Sequence, residues 1–205
     1  MAGRDHWLSI ARSNDPDDIR EHILTGFKDG KPFTPYVPTI PLPTNVERVL
    51  DFGCGLGRTF PFLRTIARHV TGFDLPPMIE QCRALAPEAA DDLQADWDVV
   101  RGSRFDLIVA VLVLQHIEPP ACRGYLHDFA KMGPAVYLLS RAESDFGTNV
   151  FAEVAATGSY EAGECVEVDH DAETHQLRVL GRQSFAAVCD PGARGHYEAL
   201  LRSKI

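Results

Sequence analysis

Through the middle of the chain, short apolar runs alternate with stretches in which apolar residues recur every three or four positions. Continuous or alternating apolar runs mark strands, and a period near 3.6 marks helices. The pattern predicts strand 47–51, helix 57–68, strand 70–74, helix 77–86, strand 93–95, strand 105–112, helix 119–130 and strand 135–140. Leu107 to Leu114 is apolar at every position, as a strand covered on both faces should be. Strands that alternate with helices imply right-handed crossovers and a parallel sheet sandwiched between helices. The stretch Trp97 to Arg104 is too short for a normal crossover helix, so a loop is expected there.

The flanks are patterned less regularly. Asn14-Asp15-Pro16-Asp17-Asp18 reads as a helix start, with a capping acid, Pro in the first turn and further acids near the positive end of the helix dipole. Ile19, Ile23, Leu24 and Phe27 would form its apolar face, and a shorter helix is expected near Trp7 to Arg12. Lys31 to Pro43 carries five prolines and should be extended, with Phe33 and Tyr36 able to lie over a neighbouring cleft. Beyond Arg141, 147–156 can form a helix, Cys165–Asp169 and His175–Leu180 alternate as two strands joined by a turn, and His196–Arg202 reads as a last strand.

The chemistry begins at Val49-Leu50-Asp51-Phe52-Gly53-Cys54-Gly55-Leu56-Gly57-Arg58, where an apolar strand ends in an acid and three alternating glycines. Such a loop turns sharply and lets a ligand lie against bare peptide groups. Arg58 stands where the dinucleotide fingerprint needs its third glycine, and no Gly-Lys-Ser/Thr follows to make a phosphate loop. A carboxylate at this point repels phosphates and attracts a cationic amine or sulfonium.

With these residues the chain resembles the class I S-adenosylmethionine-dependent methyltransferases, whose first motif is acid-x-Gly-x-Gly-x-Gly after strand one. The likeness continues through Thr71-Gly72-Phe73-Asp74-Leu75, then Ala95-Asp96-Trp97, then Phe105-Asp106-Leu107-Ile108-Val109-Ala110-Val111-Leu112-Val113-Leu114-Gln115-His116-Ile117. Asp74 follows Asp51 by 23 positions, near the ~20 expected between a glycine loop and a ribose-binding acid. The resemblance covers roughly residues 46 to 140. It implies a Rossmann-like, doubly wound α/β fold: a seven-stranded, mostly parallel sheet with an antiparallel C-terminal strand. Residues 1–45 would form a helical cap and Pro-rich linker, and 46–205 the cofactor-binding domain.

The same resemblance implies the site. Gly53, Cys54, Gly55 and Gly57 would cradle S-adenosylmethionine, Asp51 would accept hydrogen bonds near its amino group, and Asp74 with Leu75 would hold the ribose. Asp96 and Trp97 would border adenine, the alternative being a solvated acid and a packed indole. Ala110 would line the cleft, and Gln115 would hold substrate or the methionine end. His116, just after strand four, is the catalytic candidate: a neutral imidazole can take a proton from a hydroxyl or amine. The alternative is a histidine that only shapes the pocket, because methyl transfer from a sulfonium depends largely on alignment. Asp106 is expected to make a structural pairing. His170 and His175 sit among acids without a recognised metal spacing, so no metal is expected.

Composition narrows the acceptor. The 205 residues are 45% hydrophobic with a formal charge of −9, and no run of basic residues offers a nucleic-acid footprint. No segment approaches the ~20 apolar residues of a membrane helix. Five cysteines, at 54, 82, 122, 165 and 189, form no Cys-x-x-Cys pair, which suits a reduced, cytoplasmic protein. After strand four, Gln115-His116-Ile117-Glu118-Pro119-Pro120 lacks the Asn/Asp-Pro-Pro-aromatic tetrapeptide of amide and base N-methyltransferases. The reading is methyl transfer to an O or N, less readily C or S, nucleophile of a small molecule. The alternatives are a non-methylating reaction on the same fold and a non-catalytic cofactor-binding module.

Overall fold

Buried residues gathered at the carboxyl half of each central strand account for most of the architecture. The computed structural model describes residues 4–13, 15, 17, 19, 38–85, 91–161, 163–170 and 177–205. In it, β1 (Val46–Phe52) and β2 (Ala67–Phe73) each open with three residues in contact with water and close with four buried ones. β4 (Leu107–Val111) is buried throughout, and β5 (Ala135–Arg141) is buried up to its last residue. With β3 (Asp92–Gln94), these five strands pair in parallel. With β6 at Glu164–His170, β7 at Leu177–Ser184 and β8 at His196–Arg202, the full order is β3-β2-β1-β4-β5-β8-β6-β7.

The expected α/β class is therefore present, and among the described residues the sheet has eight strands instead of seven. β8 (His196–Arg202) runs antiparallel beside β5, in the place foreseen for the closing strand. β6 (Glu164–His170) pairs antiparallel with β8. β7 (Leu177–Ser184) pairs antiparallel with β6, so a second strand of opposite sense lengthens the sheet at its edge.

Alternating side chains feed two cores, because successive residues of a strand point to opposite faces. Leu50, Phe52, Ile108, Ala110, Val136 and Leu138 pack on one side with α5 (Pro119–Met132), α6 (Val150–Ala156) and α7 (Phe185–Val188). Val49, Leu107, Val109, Tyr137 and Leu139 pack on the other with α2 (Phe60–Ile66) and α3 (Pro76–Leu85). Leu126 and Phe129 of α5 are wholly buried, and each stabilises the fold by roughly 1.5–3 kcal/mol. The N-terminal α1 (Arg4–Ala11) lies on α3, where Gln81 Nε2 donates to the Ala11 carbonyl at 3.4 Å.

Several boundaries depart from the sequence pattern for local reasons. Residues 55–59 form turns, so α2 begins only at Phe60, with Pro in its first turn where no backbone N–H is needed. β2 begins at Ala67 because Val46 and Arg48 of β1 pair with Ala67 and His69. The expected loop after β3 holds a short helix, α4 (Trp97–Arg101). Asp96 Oδ1 caps it by accepting from Asp98 N at 2.9 Å. β4 starts only at Leu107, since Asp106 Oδ2 accepts from the backbone N–H groups of Glu47 and Arg48, both at 2.9 Å. Phe33, Tyr36 and His175 lie outside the described residues, as does most of the helix expected from Asp15.

Candidate active site

The strand order reverses between β1 and β4: from β1 the chain moves outward to β2 and β3, and from β4 to β5. In an open parallel sheet, ligands bind outside the carboxyl ends of the strands at such a reversal. Asp51 with the glycine loop, Asp74, Asp96, His116 and the 141–145 segment all follow or end those strands.

The glycine loop is held tightly. Gly53, Gly55 and Gly57 all have positive φ, at 74°, 53° and 82°. The carbonyl of Phe73 accepts from Gly53 N at 2.8 Å and Cys54 N at 3.1 Å, fastening the loop to the end of β2. A Cβ on Gly53 would sit 2.8 Å from Val113 Cβ, so the position has no room for a side chain. Asp74 adds a second fastening: Oδ2 accepts from Gly55 N at 2.8 Å and Oδ1 from Leu75 N at 2.6 Å.

Two carboxyl groups stand here, Asp51 buried and Asp74 half-buried. Asp51 is 1% exposed, and its Oδ2 accepts from the Thr59 hydroxyl. Burial pushes its pKa up to about 7; the Thr59 bond and Arg58 work against the rise, and Asp74 adds to it. Burial likewise raises Asp74 to about 6, opposed by the Gly55 and Leu75 amides. Both groups would be relieved by a cation or by hydroxyl donors brought into the cleft.

The other half of the site is built around His116, in the single 3-10 turn Leu114–His116 that follows β4. Its Nδ1 lies 2.8 Å from Asp145 Oδ2, with the two side chains 14% and 9% exposed. Asp145 Oδ1 in turn accepts from Arg141 Nη2 at 2.5 Å. Gln115 Oε1 accepts from Arg141 N at 2.7 Å, which orients the amide so that its NH2 faces His116 Nε2 at 3.3 Å. An amide NH2 can only donate, so Nε2 carries a lone pair and Nδ1 carries the proton given to Asp145. Burial lowers the His116 pKa, with the Asp145 hydrogen bond and charge opposing, so the ring is neutral near pH 7. Trp7 of α1 packs edge-on to that ring, centroid to centroid at 5.1 Å.

Some expected site residues are placed otherwise. Trp97 is wedged among Phe52, Phe73 and Tyr125 at 5.5, 5.1 and 4.9 Å, and its indole N–H donates to Asp128 Oδ2 at 3.1 Å. Its ring is half-buried. Asp96 is exposed and has one oxygen engaged in the α4 cap. Ala110 is wholly buried within the sheet core. Cys54 turns its thiol into the core beside Gly72, leaving only its backbone to the loop. Gln115 is buried, and its carbonyl oxygen ties the turn after β4 to the end of β5. Trp7, Arg141 and Asp145 were not foreseen. The polar run Arg141-Ala142-Glu143-Ser144-Asp145 directly after an apolar strand is the signal that could have found the last two. Among the described residues, no group of three or more His, Cys, Asp or Glu could hold a metal ion. No helix among them is long and apolar enough to cross a membrane.

Comparison with known proteins adds the lineage. A family model described as a methyltransferase domain matches residues 14–183. The fold is similar to a TehB-like SAM-dependent methyltransferase from Corynebacterium glutamicum. That match has a TM-score of 0.54 and 21% identity over 80% of this chain and 83% of that one. It is also similar to the N-methyltransferase NodS from Bradyrhizobium japonicum in complex with S-adenosyl-L-homocysteine, with a TM-score of 0.52 and 15% identity over 99% and 89% of the two chains. No curated protein matches the chain.

Proposed function

Because the chain belongs to the methyltransferase domain family, and is thus an S-adenosylmethionine-dependent methyltransferase, we propose that it methylates an oxygen or nitrogen nucleophile of a small molecule. The observation that carries this reading is the pairing of two poised halves at one end of the sheet. A glycine loop with one buried and one half-buried carboxyl group, both with raised pKa, stands beside a neutral histidine of fixed tautomer.

The residues fit the methyl donor. Asp51 and Asp74 are acceptors in need of cationic or hydroxyl partners, and the bare peptide of Gly53, Gly55 and Gly57 permits close approach. We assign Asp51 to the ammonium end, Asp74 with Leu75 N to the ribose hydroxyls, and the edge formed by Asp96 and Trp97 to the adenine side. When bound, the donor supplies an electrophilic methyl group on a sulfonium. The protein's part is to align the acceptor with that methyl, exclude water and receive the acceptor's proton. His116 Nε2 is the group placed for the last task.

A small acceptor is supported by the charge of −9 without any basic run and by the enclosure of His116 under Trp7. It is tested by incubating the protein with methyl-labelled S-adenosylmethionine and cell extract, then separating small molecules from protein and nucleic acid. Label is expected in the small-molecule fraction; label only in protein or RNA would remove the proposal.

A further inference from the structure

The site around His116 holds more than a base. Among the described residues, two buried donors have no acceptor: Trp7 Nε1 and Arg141 Nε. Leaving a buried N–H unpaired costs roughly 1–3 kcal/mol, so such groups in a folded protein call for an explanation. Both belong to side chains adjoining the same dyad: Trp7 packs on the His116 ring, and Arg141 holds the carboxylate that holds His116. The dyad is also fixed in one tautomer from both sides, by Asp145 at Nδ1 and by the Gln115 amide at Nε2.

From these features we infer that the acceptor atom is a hydroxyl oxygen of phenol-like acidity, ionised by His116 with Asp145 as its positioning residue. The inference rests on the methyl-transfer reading above. The chemistry separates oxygen from nitrogen in two ways. A neutral amine already carries the lone pair that attacks and can release its proton afterwards, so it gains little from a clamped base. A hydroxyl is a poor nucleophile until its proton leaves, and a base near neutrality is matched to that loss. An amine nitrogen also has one lone pair, which must face the methyl carbon. An ionised oxygen has three, one to attack and others to accept from donors such as Trp7 Nε1 and Arg141 Nε.

The step balances as follows. The hydroxyl proton passes to His116 Nε2, an oxygen lone pair forms the new bond to the methyl carbon, and the pair of the broken carbon–sulfur bond returns to sulfur. The products are a methyl ether, a neutral thioether and a histidinium whose Nδ1–H remains on Asp145. The 3.3 Å contact from Gln115 to Nε2 is long for a hydrogen bond, and the hydroxyl takes its place.

Three readouts on the full chain test the inference. The first is ¹⁵N NMR of the His116 imidazole without any ligand: protonated Nδ1 and bare Nε2 are expected, and a protonated Nε2 in the neutral ring overturns the proposal. The second is label transfer from S-adenosylmethionine to phenol, catechol, phenethylamine and benzenethiol, beside calorimetry with S-adenosylhomocysteine. Methylated phenol or catechol supports it. Faster methylation of the amine or thiol, or no hydroxyl product while S-adenosylhomocysteine still binds, overturns the hydroxyl assignment alone. Failure of S-adenosylhomocysteine to bind would instead remove the parent reading. The third is Asp145→Asn with the responsive phenol. Turnover should fall about 10²–10⁴-fold near pH 7, with S-adenosylhomocysteine affinity unchanged, and should recover as pH approaches the phenol's own ionisation near ~10. Loss of turnover equally at every pH would mark a merely structural role. Asp145, Arg141 and His6 are the charged and titratable groups acting on the ring.

Discussion

Replacing Asp51 by Asn should make the ligand-free protein more stable in alkaline than in acid solution relative to wild type. Asp51 is 1% exposed and its pKa is raised from 3.8 to about 7, chiefly by burial. Below pH 4 the carboxyl is protonated in both folded and unfolded chains and adds nothing. Between pH 4 and 7 the unfolded chain ionises readily while the folded one holds its proton, so stability falls as pH rises; above pH 7 the loss is complete. A rise of about three pH units, each worth ~1.4 kcal/mol, amounts to about 4 kcal/mol, a large share of the 5–15 kcal/mol typical of a domain. Asn keeps an oxygen for the Thr59 hydroxyl but adds an NH2 that costs about 1–3 kcal/mol if it finds no acceptor. That penalty is the same at every pH. The difference in unfolding free energy between variant and wild type should therefore move by about 4 kcal/mol in the variant's favour from pH 4 to pH 8. Urea unfolding followed by circular dichroism at both pH values measures it. A difference that stays flat would refute the claim that this carboxyl is held against ionisation. S-adenosylhomocysteine should stabilise the wild type far more than the variant, since only a carboxylate rewards a bound ammonium.

Other outcomes follow from single contacts. Gly53→Ala places a Cβ against Val113 at φ 74°, so it should lose about 2–4 kcal/mol in urea unfolding. Gly124→Ala, within α5 with nothing near its Cβ, should gain up to ~1 kcal/mol. Glu198→Ala should destabilise by about 1–3 kcal/mol, because the buried carboxylate anchors the 38–42 segment through Thr39 N and Ile40 N at 2.9 Å each. With S-adenosylmethionine saturating, so that Asp51 is already engaged, the acid limb of kcat/KM for the acceptor should lie below pH 6.5, because burial depresses His116; Asp145→Asn should move it lower still, and a limb above 6.5 would contradict the assignment.

The parallel core was legible because its signals are local. The apolar run from Leu107, the strand–helix alternation and the acid-glycine loop each reflect a demand made within ten residues of chain. What escaped was set by contacts distant in sequence. The start of β2 depends on Val46 across the sheet. The place of Ala110 follows from which face of β4 each residue takes. Trp97 and Gln115 find hydrogen-bond partners in Asp128 and Arg141, which lie 31 and 26 residues away. Asp145 was missed for the same reason, being joined to His116 across 29 residues.

Calorimetric titration of S-adenosylhomocysteine, run beside NAD and repeated on Asp74→Ala, tests the central claim most directly. Micromolar binding of S-adenosylhomocysteine and none of NAD is expected. Removing the carboxylate beside Gly55 and Leu75 should weaken that binding at least tenfold. Binding of NAD instead, or an affinity for S-adenosylhomocysteine unmoved by the loss of Asp74, would contradict that claim.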